Sequence, residues 1–125
     1  MLEKLEQVAI KTSSITDANT AATHIQAKLC QGTRCCTMKN LGPFTKGATT
    51  NLYGDNLNDC QNHSLLQDSA DAVTVTFTTT NTDGWRGEYI RLSFTRDTYQ
   101  CPIQDWLDYP SDPSYVATCG ILYTG

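Results

Sequence analysis

Apolar and polar residues alternate with a period of two along several segments of the chain, which is the pattern of strands with one buried face. The clearest segment runs from Ala72 to Thr80, where valine and phenylalanine alternate with threonine. Val8–Lys11, Thr23–Cys30 and Tyr89–Thr95 show the same alternation, and we expect Tyr115–Tyr123 to supply a last strand. No segment shows the apolar stripe of a long helix.

Turn-forming residues separate these segments at short intervals. Asp83-Gly84 between two β-like runs predicts a hairpin. Ser13–Thr20 and Tyr53–Asp59 are rich in polar, turn-forming side chains and are interpreted as loops. Short strands separated by turns are typical of two packed antiparallel sheets. We therefore predict an all-β fold, an antiparallel β-sandwich of about seven or eight strands, with residues 1–125 forming a single domain.

Six cysteines in 125 residues indicate a disulfide framework. The six are Cys30, Cys35, Cys36, Cys60, Cys101 and Cys119. A zinc site is not indicated, because zinc ligands usually come as paired Cys-x-x-Cys or spaced histidine units, and the chain has neither. Disulfides persist in oxidising compartments, so the sequence predicts a secreted, extracellular domain stapled by three disulfides.

The adjacent cysteines constrain the pairing, because neighbouring residues rarely bridge each other without strain. If Gly32 and Thr33 form a two-residue hairpin turn, Cys30 lies opposite Cys35 at nearly the separation that a disulfide prefers. A slip of one residue in this hairpin would exchange Cys35 with Cys36, and other connectivities stay open. Face parity in the hairpin and nearness along the chain give the expected pairs Cys30–Cys35, Cys36–Cys60 and Cys101–Cys119.

Charge and hydropathy exclude several classes of protein. The net charge is -4, and lysine and arginine are scattered, so the chain lacks the basic cluster that binding to nucleic acid requires. No apolar stretch approaches the roughly 20 residues of a membrane-spanning helix. The first residues are too charged for a signal peptide. We therefore expect Met1, and Leu2 with it, to be residues added in front of a mature secreted sequence.

Short motifs follow one another from Val8 to Trp106 in a characteristic order. The series begins with a strand, a turn of small residues and a second strand. It continues with a V-x-V strand, a loop with glycine and a strand that tryptophan begins. It ends with a strand that contains tryptophan. The motifs are Ala9–Thr12, Ala18–Thr20, His24–Leu29, Val73–Val75, Asn81–Trp85, Glu88–Leu92 and Cys101–Trp106. This order resembles that of PLAT domains, the β-sandwich modules of polycystins, lipoxygenases, pancreatic lipases and clostridial alpha-toxin.

The resemblance implies a non-catalytic module that recognises a protein or lipid surface through its sandwich loops. Two features depart from the family pattern. The family's first turn often carries Gly-Thr-Asp where this chain has Asn19-Thr20-Ala21, and the six-cysteine framework is not a general trait of the family. A disulfide-bonded β-sandwich of another superfamily is the alternative.

Catalytic chemistry has no recognisable set of residues in this chain. The Gly-x-Ser-x-Gly turn is absent, His24 and His63 lie far apart in sequence, and all six cysteines have expected disulfide partners. We therefore predict that the chain is not an enzyme.

Oxygen ligands are concentrated in the loop before Cys60. Asp55, Asn58 and Asp59, with Asp83 brought close by a neighbouring loop, form a candidate calcium site, because Ca²⁺ takes about six to eight oxygen ligands. The spacing lacks the glutamate of an EF-hand, and loops rich in Asp and Asn also form stable turns without any metal. Both interpretations stay open.

Aromatic residues in the second half of the chain are candidate partner contacts, because they combine a large apolar area with a polar tip. The candidates are Trp85, Trp106, Tyr109 and Tyr115. Both tryptophans also suit the core of a sandwich. Asn62-His63-Ser64 is an N-glycosylation sequon with Asn62 as the acceptor.

Two classes of function remain after these exclusions. The first is a secreted, non-catalytic binding module with a protein or glycan ligand or a membrane lipid as its partner. The second is a calcium-dependent carbohydrate-binding or extracellular-matrix protein, with a toxin-like effector as a further alternative. The acidic charge disfavours unaided docking on anionic lipid, so contact with a membrane would need bridging calcium or inserted aromatic side chains.

Overall fold

The computed structural model describes residues 2–18, 20 and 24–124, and it describes only the backbone of residues 123 and 124. Met1, Asn19 and Ala21–Thr23, on which some of the sequence predictions fall, lie outside the described residues. The strands are β1 (Leu2–Thr12), β2 (Ile25–Gln31), β3 (Arg34–Leu41), β4 (Thr49–Tyr53), β5 (Ser64–Leu66), β6 (Val73–Thr78), β7 (Trp85–Phe94), β8 (Asp97–Leu107), β9 (Ser114–Thr118) and β10 (Gly120–Thr124). A 3₁₀ segment, Gly54–Cys60, lies between β4 and β5.

The strands form two antiparallel sheets that pack face to face. One sheet has the order β10-β8-β7-β1-β4, with β5 paired to the first part of β1, and the other has the order β3-β2-β6-β9. The predicted β-sandwich is therefore confirmed, but the described residues form ten strands instead of seven or eight. The expected last strand is in fact two strands, because the chain crosses between the sheets at Cys119. No helix in the described ranges has the length and apolar character needed to cross a membrane.

The core lies between the inner faces of the two sheets and is centred on Trp85, which is 1% exposed. Its ring packs against Phe44 and Phe77, with centroid distances of 4.8 and 5.5 Å. Its Nε1–H donates a hydrogen bond of 3.0 Å to Thr12 Oγ1. A Cβ at Gly87 would lie 2.6 Å from the indole ring, so only glycine fits beside it. The fold thus makes Trp85 a core residue instead of the partner contact expected from the sequence.

Three disulfides join the cysteines in the predicted pairs, Cys30–Cys35, Cys36–Cys60 and Cys101–Cys119. The first closes the β2–β3 hairpin, where Cys30 and Cys35 are direct cross-strand partners. The second ties β3 to the 3₁₀ segment, and the third ties β8 to the crossing between β9 and β10. The bridges therefore reinforce a hydrophobic core that already spans both sheets.

The connections between strands meet at two opposite ends of the sandwich. At the end where β1 finishes, backbone hydrogen bonds join Gly47 to Ser13, Arg86 to Ala18 and Tyr109 to Asn81. We name this the loop end; it comprises residues 13–18, 45–48, 79–84 and 108–113. We name the opposite end the base; it comprises residues 32–33, 54–63, 67–72 and 95–96.

Candidate functional site

A concavity of about 350 Å³ opens at the loop end. Its lining consists of Asp17, Asp83, Gly84, Trp106 and Asp108. The three carboxylates come from three different parts of the chain: the β1–β2 connection, the β6–β7 turn and the end of β8. We name this the acidic concavity. Such a surface attracts cations and repels anions.

Backbone contacts hold the segments around the acidic concavity in place. Thr20 Oγ1 donates to the carbonyl oxygen of Asp83 at 2.8 Å, which joins the β1–β2 connection to the β6–β7 turn. Asp108 and Asp112 exchange two backbone hydrogen bonds of 2.7 and 2.6 Å across the β8–β9 connection. A Cβ at Gly84 would lie 3.3 Å from Cγ of Asp108, so the absence of a side chain there keeps the concavity open.

Two exposed apolar side chains lie close in sequence to carboxylates of the acidic concavity. Ile15 is 47% exposed and lies two residues before Asp17, and Tyr109 is 45% exposed and follows Asp108 directly. Each of these connections therefore presents one carboxylate and one apolar side chain. The half-buried Trp106 lies in the lining of the acidic concavity. The loop end is thus amphipathic: it is acidic at its centre and apolar at its tips.

One carboxylate oxygen at the loop end has no hydrogen-bond donor among the described residues. Oδ1 of Asp108 is buried and accepts no hydrogen bond from the described residues. A buried carboxylate oxygen without a partner costs free energy, and a cation or a donor supplied by a ligand would remove that cost. Arg86, the cross-strand partner of Trp106, has a buried Nε that also makes no hydrogen bond to the described residues.

The candidate calcium residues do not come together. Asp55, Asn58 and Asp59 lie in the 3₁₀ segment at the base, whereas Asp83 lines the acidic concavity at the loop end. The expectation that a loop brings Asp83 close to the other three is therefore wrong, because the β6–β7 turn and the 3₁₀ segment lie at opposite ends of the strands. Within the described ranges no three His, Cys, Asp or Glu side chains converge closely enough to hold a metal ion. Calcium binding itself stays a prediction.

The remaining candidates occupy three different environments. Tyr115 lies in β9 opposite Phe77 and packs against the core, so it is not on a loop. Asn62, the sequon residue, is exposed at the base, far from the acidic concavity. His63 is half-buried beside it; burial lowers the pKa of its imidazole, and the charge of Arg34 lowers that pKa further.

Sequence reasoning missed Ile15, Asp17 and Asp108 as site residues. The first two lie in a polar connection that was interpreted only as a loop, although an isoleucine among Ser, Thr, Asp and Asn was a usable signal. Of the predicted aromatic residues, Trp106 and Tyr109 do lie together at the loop end. Nothing local in the sequence showed that Asp108 would face Asp17 and Asp83, because that proximity depends on the sheet order.

No protein-family model matches the chain, and neither does any curated protein sequence. Solved structures do share the fold. A lipoxygenase in complex with arachidonate superimposes with a TM-score of 0.65 and 13% identity, over 94% of this chain and 16% of that chain. Alpha-toxin of Clostridium perfringens from an avian strain superimposes with a TM-score of 0.56 and 14% identity, over 93% of this chain and 31% of that chain. Alpha-toxin of Clostridium absonum superimposes with a TM-score of 0.51 and 19% identity, over 91% of this chain and 30% of that chain.

The chain therefore spans less than a third of the length of these proteins. At such low identity the likeness shows the fold alone, and it confirms the β-sandwich that the sequence predicted. The resemblance of the motifs to PLAT domains is thereby confirmed as a likeness in fold to parts of lipoxygenase and alpha-toxin structures.

Proposed function

We propose that this domain is a secreted, non-catalytic binding module that docks on a lipid surface through its loop end. The observation that carries the proposal is the pair of exposed apolar side chains, Ile15 and Tyr109, in the two connections that also carry Asp17 and Asp108 of the acidic concavity. Apolar and aromatic side chains at the tips of loops gain free energy when they leave water for an interface. Trp106, half-buried in the lining, extends this apolar area.

Calcium is the cofactor that fits this arrangement. The carboxylates of the acidic concavity would repel anionic headgroups, and the net charge of -4 adds to that repulsion. Asp108 would contribute a ligand to a calcium ion, since hard cations prefer oxygen ligands and its buried Oδ1 lacks a donor among the described residues. Asp17 and Asp83 would add to the negative charge that attracts the ion. The ion would supply positive charge between the domain and lipid phosphates. Because the three carboxylates do not converge, the docked surface would contribute the remaining ligands.

The comparisons support a module instead of a complete enzyme. The chain covers only 16% of the lipoxygenase and 30% of the toxin from Clostridium absonum, so their activities are not transferred to it. The six cysteines are all bridged, which removes the thiolate as a nucleophile. The lipoxygenase structure contains arachidonate, a fatty acid, and this is consistent with a lipid-associated setting for the fold.

Vesicle sedimentation with matched variants tests the proposal. Phosphatidylcholine vesicles with and without phosphatidylserine are used, each in millimolar calcium and in EDTA. Wild-type protein is expected to pellet with the serine-containing vesicles in calcium. The variant Ile15→Ser with Tyr109→Ser is expected to bind about tenfold more weakly. The control, Val116→Ser with Tyr53→Ser, changes side chains of similar exposure away from the loop end and is expected to bind normally.

Two outcomes would count against this function. Equal loss of binding in both variants would show that general apolarity, not the loop end, causes attachment. Absence of binding to every vesicle in calcium would reject a lipid surface, and a basic protein surface would then be the partner that suits the acidic concavity.

Secretion is part of the proposal, and the sequon provides a separate test of it. Three disulfides fit an oxidising compartment, and Asn62 is exposed at the base, where a glycan would leave the loop end free. We expect the chain secreted from animal cells to lose mass on enzymatic deglycosylation, and Asn62→Gln to abolish that change. A secreted wild-type chain with the mass of the bare polypeptide would contradict this prediction.

A further inference from the structure

A second concavity, of about 460 Å³, opens along one side of the sandwich. It lies where β3, at the edge of one sheet, and β4, at the edge of the other, diverge, and the 3₁₀ segment forms one wall. Its polar side chains are Lys39, Asn40, Thr50, Asp55, Asn56 and Asn58. We name it the side groove. No part of its lining is shared with the acidic concavity.

We propose that the side groove binds a neutral saccharide. Its three asparagine amides each offer both donors and acceptors, which is what the hydroxyl groups of a sugar require. Lys39 and Asp55 contribute one charge of each sign, so their formal charges cancel in a chain whose net charge is -4. The exposed ring of Pro43 and the partly buried Leu52 supply apolar surface for the C–H groups of a sugar ring.

Two of these amides are already held in position. Oδ1 of Asn40 lies 2.9 Å from Nδ1 of His24, within hydrogen-bond distance. Nδ2 of Asn58 donates to the carbonyl oxygen of Asn56 at 3.0 Å, and Oδ1 of Asn58 accepts from the backbone N–H of Lys39 at 3.4 Å. Side chains fixed before binding lose less conformational entropy when a ligand arrives. The groove is therefore partly preorganised for a polar ligand.

The same contacts disfavour other occupants. An anionic ligand would find one basic side chain, Lys39, against Asp55. A lipid chain would find a floor whose largest apolar group, Phe44, is 1% exposed. An extended peptide added to the edge of β3 would have to displace Asn58 from the N–H of Lys39. A neutral, hydroxyl-rich ligand meets none of these obstacles, and its binding does not depend on the loop end or on calcium.

Nuclear magnetic resonance titration of the ¹⁵N-labelled domain tests this inference. The probes are maltopentaose, cellopentaose, chitopentaose and mannopentaose, with a sulfated heparin pentasaccharide as the charged comparison, all in EDTA. At least one neutral probe is expected to shift the side-chain amide signals of Asn40, Asn56 and Asn58. Asp55→Ala with Asn56→Ala is expected to weaken that binding about tenfold, since two hydrogen bonds are lost.

Asn51→Ala is the matched control, because this exposed asparagine lies on β4 outside the side groove. It is expected to bind as tightly as the wild type, and both variants are expected to keep the dispersed backbone spectrum of the folded domain. The inference is overturned if no neutral probe binds or if only the sulfated probe binds. It is also overturned if the shifts map to the loop end or if the control variant loses as much affinity as the groove variant.

Discussion

The two tryptophans of this domain have opposite surroundings, which separates residues that determine stability from residues that bind. Trp85 is enclosed by Phe44 and Phe77 and donates a hydrogen bond to Thr12, whereas Trp106 is half-exposed at the loop end. The sequence predicted the strand that each tryptophan belongs to. It did not distinguish their roles, because burial depends on which residues the opposite sheet brings near.

Trp85→Ala is the substitution that tests the role of this tryptophan in the core. The substitution removes a fully buried ring and the partner of the Thr12 hydroxyl, so we expect a loss of about 3–5 kcal/mol in the free energy of unfolding. Urea unfolding followed by circular dichroism measures this loss. Trp106→Ala, the control, is expected to cost less than about 1 kcal/mol. Similar losses in both variants would contradict the assignment of Trp85 to the core.

His63 gives the domain a pH dependence whose sign follows from its surroundings. Burial, and then the charge of Arg34, lower the pKa of its imidazole from the ordinary value near 6.5. As the pH falls, the unfolded chain therefore takes up the proton before the folded chain does. The domain is most stable, as far as this group is concerned, above about pH 6.5, and it loses stability as the pH falls from there to the folded pKa.

The variant His63→Gln is expected to flatten this decline, measured as the urea midpoint at neutral pH and at about pH 5. His24→Gln, the substitution of the exposed histidine, is the control and is expected to keep the wild-type slope. An unchanged slope in His63→Gln would show that another group causes the decline.

At the scale of elements, strands with local signals were predicted and strands defined by tertiary pairing were missed. The alternation in Ala72–Thr80 matches β6 because one face of that strand is buried against the core. By contrast, β4 and β5 have only five and three residues, too few to show a period, and they exist because β1 pairs with them. The Cys30–Cys35 disulfide was predictable because the β2–β3 hairpin fixes the register of these two cysteines locally.

Some residues of the candidate site were likewise predicted from the sequence, and others were missed. Tyr109 was predicted as a candidate partner contact, and its side chain is exposed. The acidic concavity was not predicted, because its carboxylates come from segments far apart in sequence that only the complete sheet order brings together. Asp55, Asn58 and Asp59 were assigned as calcium ligands from nearness along the chain, whereas Asp83 was added on the expectation that a neighbouring loop brings it close. That expectation is wrong because the sheet order places the β6–β7 turn at the opposite end of the strands.

The N-terminal strand is held to the base by one buried carboxylate. Oε1 of Glu3 accepts hydrogen bonds of 2.8 Å from the backbone N–H groups of Arg96 and Asp97, in the turn between β7 and β8. Glu3→Ala leaves both donors without this partner, and we expect a loss of about 2 kcal/mol in the free energy of unfolding. Glu6→Ala, on the exposed face of the same strand, is the control. Urea unfolding of the two variants decides the matter; equal stability would contradict this role of Glu3.

At the scale of the whole molecule, the sandwich separates three surfaces that serve different purposes. The loop end presents the acidic concavity with its apolar tips, the side groove faces sideways between two sheet edges, and the sequon lies at the base. The disulfides and the Trp85 core hold the sheets, so these surfaces keep fixed positions relative to one another. A domain docked by its loop end would therefore keep its side groove and its glycan accessible.

The central claim is that the loop end is the surface that enters the lipid interface, and the two tryptophans allow a direct measurement. Fluorescence is recorded in calcium with anionic vesicles that contain brominated phosphatidylcholine, which quenches only nearby indole rings. Because Trp106 lies at the loop end and Trp85 is buried, we expect the vesicles to quench the fluorescence of the wild type. In Trp106→Phe, we expect this quenching to disappear while sedimentation with the vesicles is retained. A bound wild type without quenching, or quenching that persists in Trp106→Phe, would contradict the claim.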